Sequence, residues 1–422
     1  MKILAKTIFE LERLIELEAK EIEMKVGIPK EILGTETRVA AVPDTVTRMV
    51  KGGMEVLVEA GAGLGSFIKD DEYVLAGAIV IADTEAIFSE SDVILKVNRP
   101  VLNNKTKKHE ADMMKEGAVL VTFLQPLANI DAVLKLASKK ITAFSMDAVP
   151  RISRAQMMDA LSSMSTVAGY KAVLLAANAL KRFMPMLSTA AGTVYPAKAV
   201  VIGAGVAGLQ AIATAKRLGA VVTGFDTRPA AGEQIRSLGG EFVPLDVDHN
   251  QAEDAGGYAM EMSADFYKQE QEIIRKHTKD ADIVISTALI PGRPAPTLIT
   301  EEMVKEMKPG SVIVDLVVEQ GGNCVLSEAG KDVVSHDVTI IGAVNLPGTI
   351  PVHASQLYAR NIYNFLSLLA PDKKDLNIDF NDEIVKGSVV THNGEILNEK
   401  VREAAQKGDT AFPSGPTSRS HW

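Results

Sequence analysis

At 422 residues the chain exceeds what one hydrophobic core usually serves, so two domains are expected. The composition, 46% hydrophobic and 23% charged, is that of an ordinary globular protein, and a net charge of −9 argues against a nucleic-acid partner, whose phosphates demand Lys and Arg. The lone cysteine, Cys324, excludes an intrachain disulfide and a cysteine-based zinc site, and fits a reducing compartment.

Residues 1–23 are not a signal peptide, because Glu10, Glu12, Glu16, Glu18 and Glu21 interrupt any apolar core. Ile8, Leu11 and Ile15, with Leu14 beside them, recur at helical spacing and predict an amphipathic helix or linker ahead of the folded body. This extension raises the expectation that the chain is a portion of a longer polypeptide. From Met24 short apolar runs alternate with stretches long enough for crossover helices: MKVGIP, EVLVEAG, DVILKVN, AVLVTFL and ITAFSMD. That pattern predicts a parallel sheet of right-handed βαβ units.

A long helical segment follows. Ser153 is a candidate N-cap, and the sequence runs on without proline to Pro185. Met157, Leu161, Met164 and Ala168 fall on one face at about 100° per residue, with Gln156, Asp159 and Ser163 opposite. Such a helix would bridge two domains and turn its polar face to a cleft. Its most apolar stretch, Met164 to Leu180, is interrupted by Lys171 and reads as a buried helix, not a membrane span.

A second strand series begins at Ala199: AVVIGAG, AVVTGFD, EFVPLD, DIVIST, SVIVDL and TIIGAV. Two such series predict an α/β protein with two doubly wound Rossmann-like parallel-sheet domains joined by long helices. The amphipathic run after about His353 carries the chain back, so the first domain is discontinuous: 24–155 plus 355–400, around a nucleotide domain 156–354 that includes the connecting helix. Residues 401–422, ending in a Pro- and Gly-broken polar run, are expected to be a flexible tail.

The strongest motif is Gly203-Ala204-Gly205-Val206-Ala207-Gly208, in strand–turn–helix–strand context. Gly203 permits the tight turn, Gly205 lets backbone approach a pyrophosphate, and Gly208 lets helix and strand close up. The phosphates would sit at the helix N-terminus. Asp226 follows Gly208 by 18 residues, near the roughly 20 expected of the acid that holds the adenosine ribose. It accepts hydrogen bonds from ribose hydroxyls and repels a 2′-phosphate, which favours NAD(H). Arg228 leaves two readings open: it could neutralise such a phosphate or pair with Asp226. Thr227 lies between them. Ser286, Thr287, Ala288 and Leu289 end a strand where ligands lie in doubly wound sheets. Gly256-Gly257-Tyr258, inside an unusually long connection, suggests a flap whose tyrosine closes over the cofactor.

An alcohol or amino-acid dehydrogenase also needs a proton acceptor. The seven histidines form no cluster, and there is no HExxH, GxSxG or P-loop, so no metal site is expected. His353 reads as a structural histidine. The other polar candidates, Arg38, Lys96, Gln125, Arg151, Gln156, Asp159, Ser162 and Asn345, mostly bind or orient. Hydride exchange between two nicotinamides needs no general base, only alignment.

With these residues assembled, the chain resembles the NAD(H)-binding component, domain I, of proton-translocating NAD(P) transhydrogenase. The resemblance runs from about Met24 to Glu399 through PRISRAQMMDALSSMSTVAGYKAV, GAGVAGLQAIATAKRLGA, EDAGGYAMEM, TALIPGRPAP and VEQGGNC. It implies that Arg151, Asp159 and Ser162 hold the nicotinamide, its amide and its ribose. It further implies that Gln156 reaches towards NADP(H) on a partner component and that Tyr258 sits on the closing loop. A homodimer, a membrane component that carries the proton, and a location peripheral to the membrane on the cytoplasmic or matrix-type side are also implied. The rival is alanine dehydrogenase, whose carboxylate- and amine-handling residues look like Arg38 and Lys96. Against it, Phe123 and Gln125 stand where that family carries its catalytic histidine, and Glu319 where it has an aspartate. Arg38 and Lys96 would then be relics or structural ion pairs.

Overall fold

A computed structural model describes residues 24–244, 264–290, 294–372 and 375–407. The N-terminal helix expectation, the loop bearing Tyr258 and the final residues of the tail lie outside the described residues.

The β-branched runs of the first half form β1 (Lys25–Ile28), β2 (Glu55–Glu59), β3 (Ile79–Ile81), β4 (Val93–Leu95), β5 (Val119–Thr122) and β6 (Thr142–Ser145). The hairpin β7 (Leu187–Thr189) and β8 (Gly192–Val194) stands apart as its own two-stranded sheet. The second half supplies β9 (Lys198–Ile202), β10 (Val221–Asp226), β11 (Glu241–Pro244), β12 (Ile283–Ser286), β13 (Val312–Asp315), β14 (Asp332–Ser335) and β15 (Val338–Gly342). Finally β16 (Val389–His392) and β17 (Glu395–Ile396) follow the last long helix.

The first sheet runs β17-β16-β6-β5-β4-β1-β2-β3, so strands from both ends of the chain share it. β1 to β6 pair in parallel, whereas β16 lies antiparallel to β6 and β17 antiparallel to β16. The second sheet runs β11-β10-β9-β12-β13-β15-β14, parallel except for β14 at its edge. In each, the order reverses beside the first strand: between β1 and β4, and between β9 and β12. Doubly wound sheets place ligands beyond the strand ends at that reversal.

Two helices join the halves, and the first differs from expectation. The chain does not enter one continuous helix at Ser153; residues Ser153–Met158 form a 3-10 turn and the α-helix spans Ala160–Ala179. Asp159 is the true N-cap, because its Oδ1 accepts the Ser162 backbone N–H at 2.8 Å while its Oδ2 accepts the Ser162 hydroxyl at 2.6 Å. A carboxylate there satisfies first-turn donors that a Ser153 start would leave in mid-helix. Met157, expected on the apolar face, is therefore outside the α-helix and 66% exposed.

The helix is long and apolar enough to cross a membrane by length and composition. Here it buries Met164 and Val167 in the first core, and Ala172, Val173 and Ala176 in the second. Gly169 is the contact between them: a Cβ there would stand 2.1 Å from the Ala207 carbonyl oxygen, so the helix and the Val206–Arg217 helix touch backbone to backbone. The second bridge, Pro351–Leu369, lays Ala354, Tyr358, Ile362, Phe365 and Leu369 on the first sheet.

The expected tail begins too early at residue 401. Glu399–Lys407 is a helix whose Val401 is buried, with Ala404 and Ala405 against the same core as Ile130–Ser138. Val401, Ala404 and Ala405 recur at helical spacing, enough apolar surface to hold one more helix down.

Candidate dinucleotide site

The glycine turn connects β9 to the Val206–Arg217 helix. Gly203 has φ +89°, a conformation open chiefly to glycine, and a Cβ on Gly208 would lie 1.8 Å from the Gly203 carbonyl oxygen. Thr287, just past β12, locks the turn from the other side: its hydroxyl donates to the Gly203 carbonyl at 3.0 Å, and its N–H to the Ile202 carbonyl at 2.8 Å. No side chain caps the helix at Gly205, and a Cβ on Gly205 would meet open space. These features make a phosphate cradle: uncapped N–H groups at a positive helix end, and room for backbone approach.

One cavity at the β9/β12 reversal collects most of the sequence-predicted site residues. Gly203, Gly205, Val206, Ala207, Asp226, Thr227, Arg228, Thr287, Ala288 and Leu289 line it together with Arg151. Gly208 sits behind, buried in the turn. Gln156, Asp159 and Ser162 are not in this lining; Gln156 is exposed, and Asp159 and Ser162 are half-buried at the helix cap that leads away from it. Tyr258 falls outside the described residues.

Asp226 is 9% exposed and its oxygens are heavily engaged. Oδ1 accepts the Arg228 N–H and Nε at 2.9 Å each; Oδ2 accepts the Ala204 N–H at 2.7 Å and the Arg228 terminal nitrogen at 3.0 Å. Four accepted hydrogen bonds use the lone pairs a carboxylate offers. Of the two readings left open for Arg228, the structure takes the pairing one. A ribose hydroxyl seeking Asp226 must compete with this fork. The residues present fit a dinucleotide: phosphate cradle, strand-end acid and Ala288 held by Asn323, whose Oδ1 accepts its N–H at 3.0 Å.

Ser165, Tyr267 and Glu270 also line the cavity and were not anticipated. Glu270 is 5% exposed, and burial, with the nearby Asp226 charge, pushes its carboxyl up to about 7. The sequence did hold a signal. Glu270 sits at a helix position followed by buried Ile274 and Thr278, where the i, i+4, i+8 rhythm asks for an apolar residue.

The β1/β4 reversal of the first sheet is filled differently. Lys96, 1% exposed, lies 3.0 Å from Glu110 and 3.5 Å from Glu31, both also buried. Burial alone would lower the Lys96 ammonium, but the two carboxylates hold it above its ordinary value. Arg38 grips Glu36 bidentately at 2.8 and 2.6 Å and reaches Asn345 across the cleft at 3.3 Å. Burial would raise Glu36; the Arg38 fork and the Asn98 amide overcome it and hold the carboxyl at about 2. Phe123 stacks on Tyr358 at 5.0 Å, and Gln125 is exposed at the surface. Both cations are committed to carboxylates of their own chain.

Two open sheets with reversed strand order, a glycine cradle at one reversal and an acid ending the neighbouring strand define a two-domain, Rossmann-type dinucleotide-binding protein. Comparison with known proteins is more specific. Family models described as "Alanine dehydrogenase/PNT" match residues 27–168 (N-terminal domain) and 172–399 (C-terminal domain). In Rhodospirillum rubrum, the first of the chains that make up the NAD(P) transhydrogenase alpha subunit is 51% identical over 89% of this chain and 98% of its own length. The alanine dehydrogenase of Methanococcus maripaludis is 32% identical over 90% of this chain and 96% of its own. Among solved structures, the transhydrogenase from Sinorhizobium meliloti superposes with a TM-score of 0.78 at 45% identity, covering 88% of this chain and 99% of that one. The chain therefore belongs to the alanine dehydrogenase/PNT family of oxidoreductases, on its transhydrogenase alpha-subunit side.

Proposed function

We propose that the chain binds NAD(H) in the β9/β12 crevice and exchanges hydride directly with NADP(H) carried by a partner component. In this reading the partner assembly couples the exchange to proton movement across a membrane. The observation that carries it is the contrast between the two strand reversals. The second offers an open cradle, whereas the first, where a small carboxylate substrate would need Arg38 and Lys96, has both cations tied to Glu36, Glu31 and Glu110. When bound, the nicotinamide supplies or receives the hydride. The chain's own residues bind and orient: first-turn N–H groups and Gly205 hold the phosphates, Asp226 the adenosine ribose, and Arg151, Asp159 and Ser162 the nicotinamide end. Gln156 and Met157, exposed on the 3-10 turn, form the face offered to the partner. Their backbone is steadied from behind, since the Asn361 amide donates to the Met157 carbonyl at 2.9 Å. A homodimer, peripheral to the cytoplasmic or matrix-type face of a membrane, completes the assembly we propose.

The alternative, an alanine dehydrogenase-like oxidation of amino acids, has the support of a solved L-alanine dehydrogenase at 26% identity and a TM-score of 0.76. The deciding experiment measures hydride transfer from NADH to an NADP⁺ analogue with and without a purified NADP(H)-binding component, and NAD⁺ reduction by alanine. Partner-dependent transfer without alanine turnover is expected. Alanine turnover by the chain alone overturns the proposal.

A further inference from the structure

We propose that Glu270 is a further specificity-determining residue of the nucleotide site: a second carboxyl on the wall beside Asp226 that, once ionised, bars a phosphorylated adenosine ribose. Discrimination against NADPH then rises with pH. This rests on the reading that the adenosine ribose lies at Asp226.

The position is the first argument. Glu270 projects from the Ala264–Thr278 helix into the cavity lined by Gly205, Asp226 and Arg228, one turn after Tyr267, which lines it too. The second is its isolation. It is 5% exposed, yet it makes no hydrogen bond or ion pair with any described residue, while the neighbouring Asp226 carboxylate is fully engaged. A buried acid without a partner costs stability, and an apolar residue would continue the helix stripe to Ile274. The obvious partner, Arg228, is turned away: its guanidinium spans Asp226 and the Ala204 carbonyl at 3.2 Å.

The charged surroundings decide the sign. From the β10 end come Asp226 and Arg228, from the segment before the bridging helix Arg151, and from the same helix Tyr267. Farther along that helix, His277 stacks edge-on to Phe225 at 5.2 Å. The β12 side, from Thr287 to Leu298, adds no titratable group to the lining among the described residues. With the Asp226 charge already balanced by Arg228, ionisation of Glu270 changes the wall from near neutral to negative. Burial and Asp226 set that ionisation close to neutrality. NAD(H) brings no charge to this wall. A 2′-phosphate brings between one and two negative charges, and the repulsion acts in a poorly screened cavity.

The test titrates NADH and NADPH binding, by fluorescence of the reduced nicotinamide, from pH 6 to 8.5 in the wild-type chain, Glu270→Gln and Glu270→Leu. The leucine variant extends the apolar stripe and stands in should the amide misfold. The 2′-phosphate titrates too, but equally in all three proteins, so the variant subtracts it. The expected result is an NADPH/NADH dissociation-constant ratio that climbs about tenfold more across this range in the wild type than in either variant. Equal slopes in wild type and variant, with NADH binding intact, overturn the role of Glu270 alone. Loss of Asp226 that leaves NADH binding unchanged overturns the ribose assignment and this proposal with it.

Discussion

Lys96→Met tests whether the first reversal is a sealed ion network or a substrate site. The ammonium lies 3.0 Å from Glu110 and 3.5 Å from Glu31, with all three side chains at most 3% exposed. Its removal leaves two carboxylates facing each other without a counter-charge, which costs about 3–5 kcal/mol. At roughly 2–4 °C per kcal/mol for a domain of this scale, the melting temperature should fall by roughly 6–20 °C. The sign of the pH dependence follows from Glu31, whose carboxyl burial already raises against the pull of Lys96. Without Lys96 that rise grows, so the folded variant holds a proton that the unfolded chain releases. Its stability then falls as pH rises, and the deficit against wild type should be larger at pH 8 than at pH 5.5. Circular-dichroism melts at the two pH values read both effects. A loss below about 1 kcal/mol, or a deficit independent of pH, would refute the reasoning.

Asp226→Ala removes the acceptor of four hydrogen bonds and releases the Arg228 fork. NADH should bind about 10- to 100-fold more weakly, with discrimination against NADPH relaxed; equilibrium titration with both nucleotides checks it. Gln156→Asn should leave NADH affinity nearly intact while slowing transfer about tenfold or more, because it shifts alignment and not binding; equal loss of both contradicts that role. Glu270→Gln should also change stability. In the ligand-free chain the carboxyl is held at about 7 against an ordinary 4.5, so wild-type stability declines as pH rises through that window. Urea denaturation should find the variant more stable by about 3 kcal/mol at pH 8 and indistinguishable at pH 5.

The strands of both sheets were legible because central parallel strands must be apolar on both faces, and such runs stand out. The missed strands are the ones exempt from that demand. β3 is three residues at a sheet edge with Ile79 half exposed, β14 is an antiparallel edge, and the β7–β8 hairpin belongs to neither core. The start of the bridging helix was misplaced because periodicity cannot see a cap. Ser153 and Asp159 are both good N-cap residues, and only the hydrogen bonds to Ser162 choose between them. The cradle and its acid were legible, since a glycine fingerprint states a backbone requirement directly. Glu270 was not, because Rossmann logic inspects strand ends, and this group reaches the cavity from a helix that covers the sheet.

The backbone contact between Gly169 and Ala207 ties two elements into one mechanical piece. With no side chains between them to act as lubricant, the bridging helix cannot slide along or roll over the cradle helix. Any swing of the exposed Gln156–Met157 segment relative to the nucleotide crevice must therefore be absorbed upstream of Asp159, within the six residues Ser153–Met158. The molecule has a rigid forearm and a short wrist. What a docking partner can adjust on this chain is the angle of the hand, while the grip on the phosphates stays as the sequence built it.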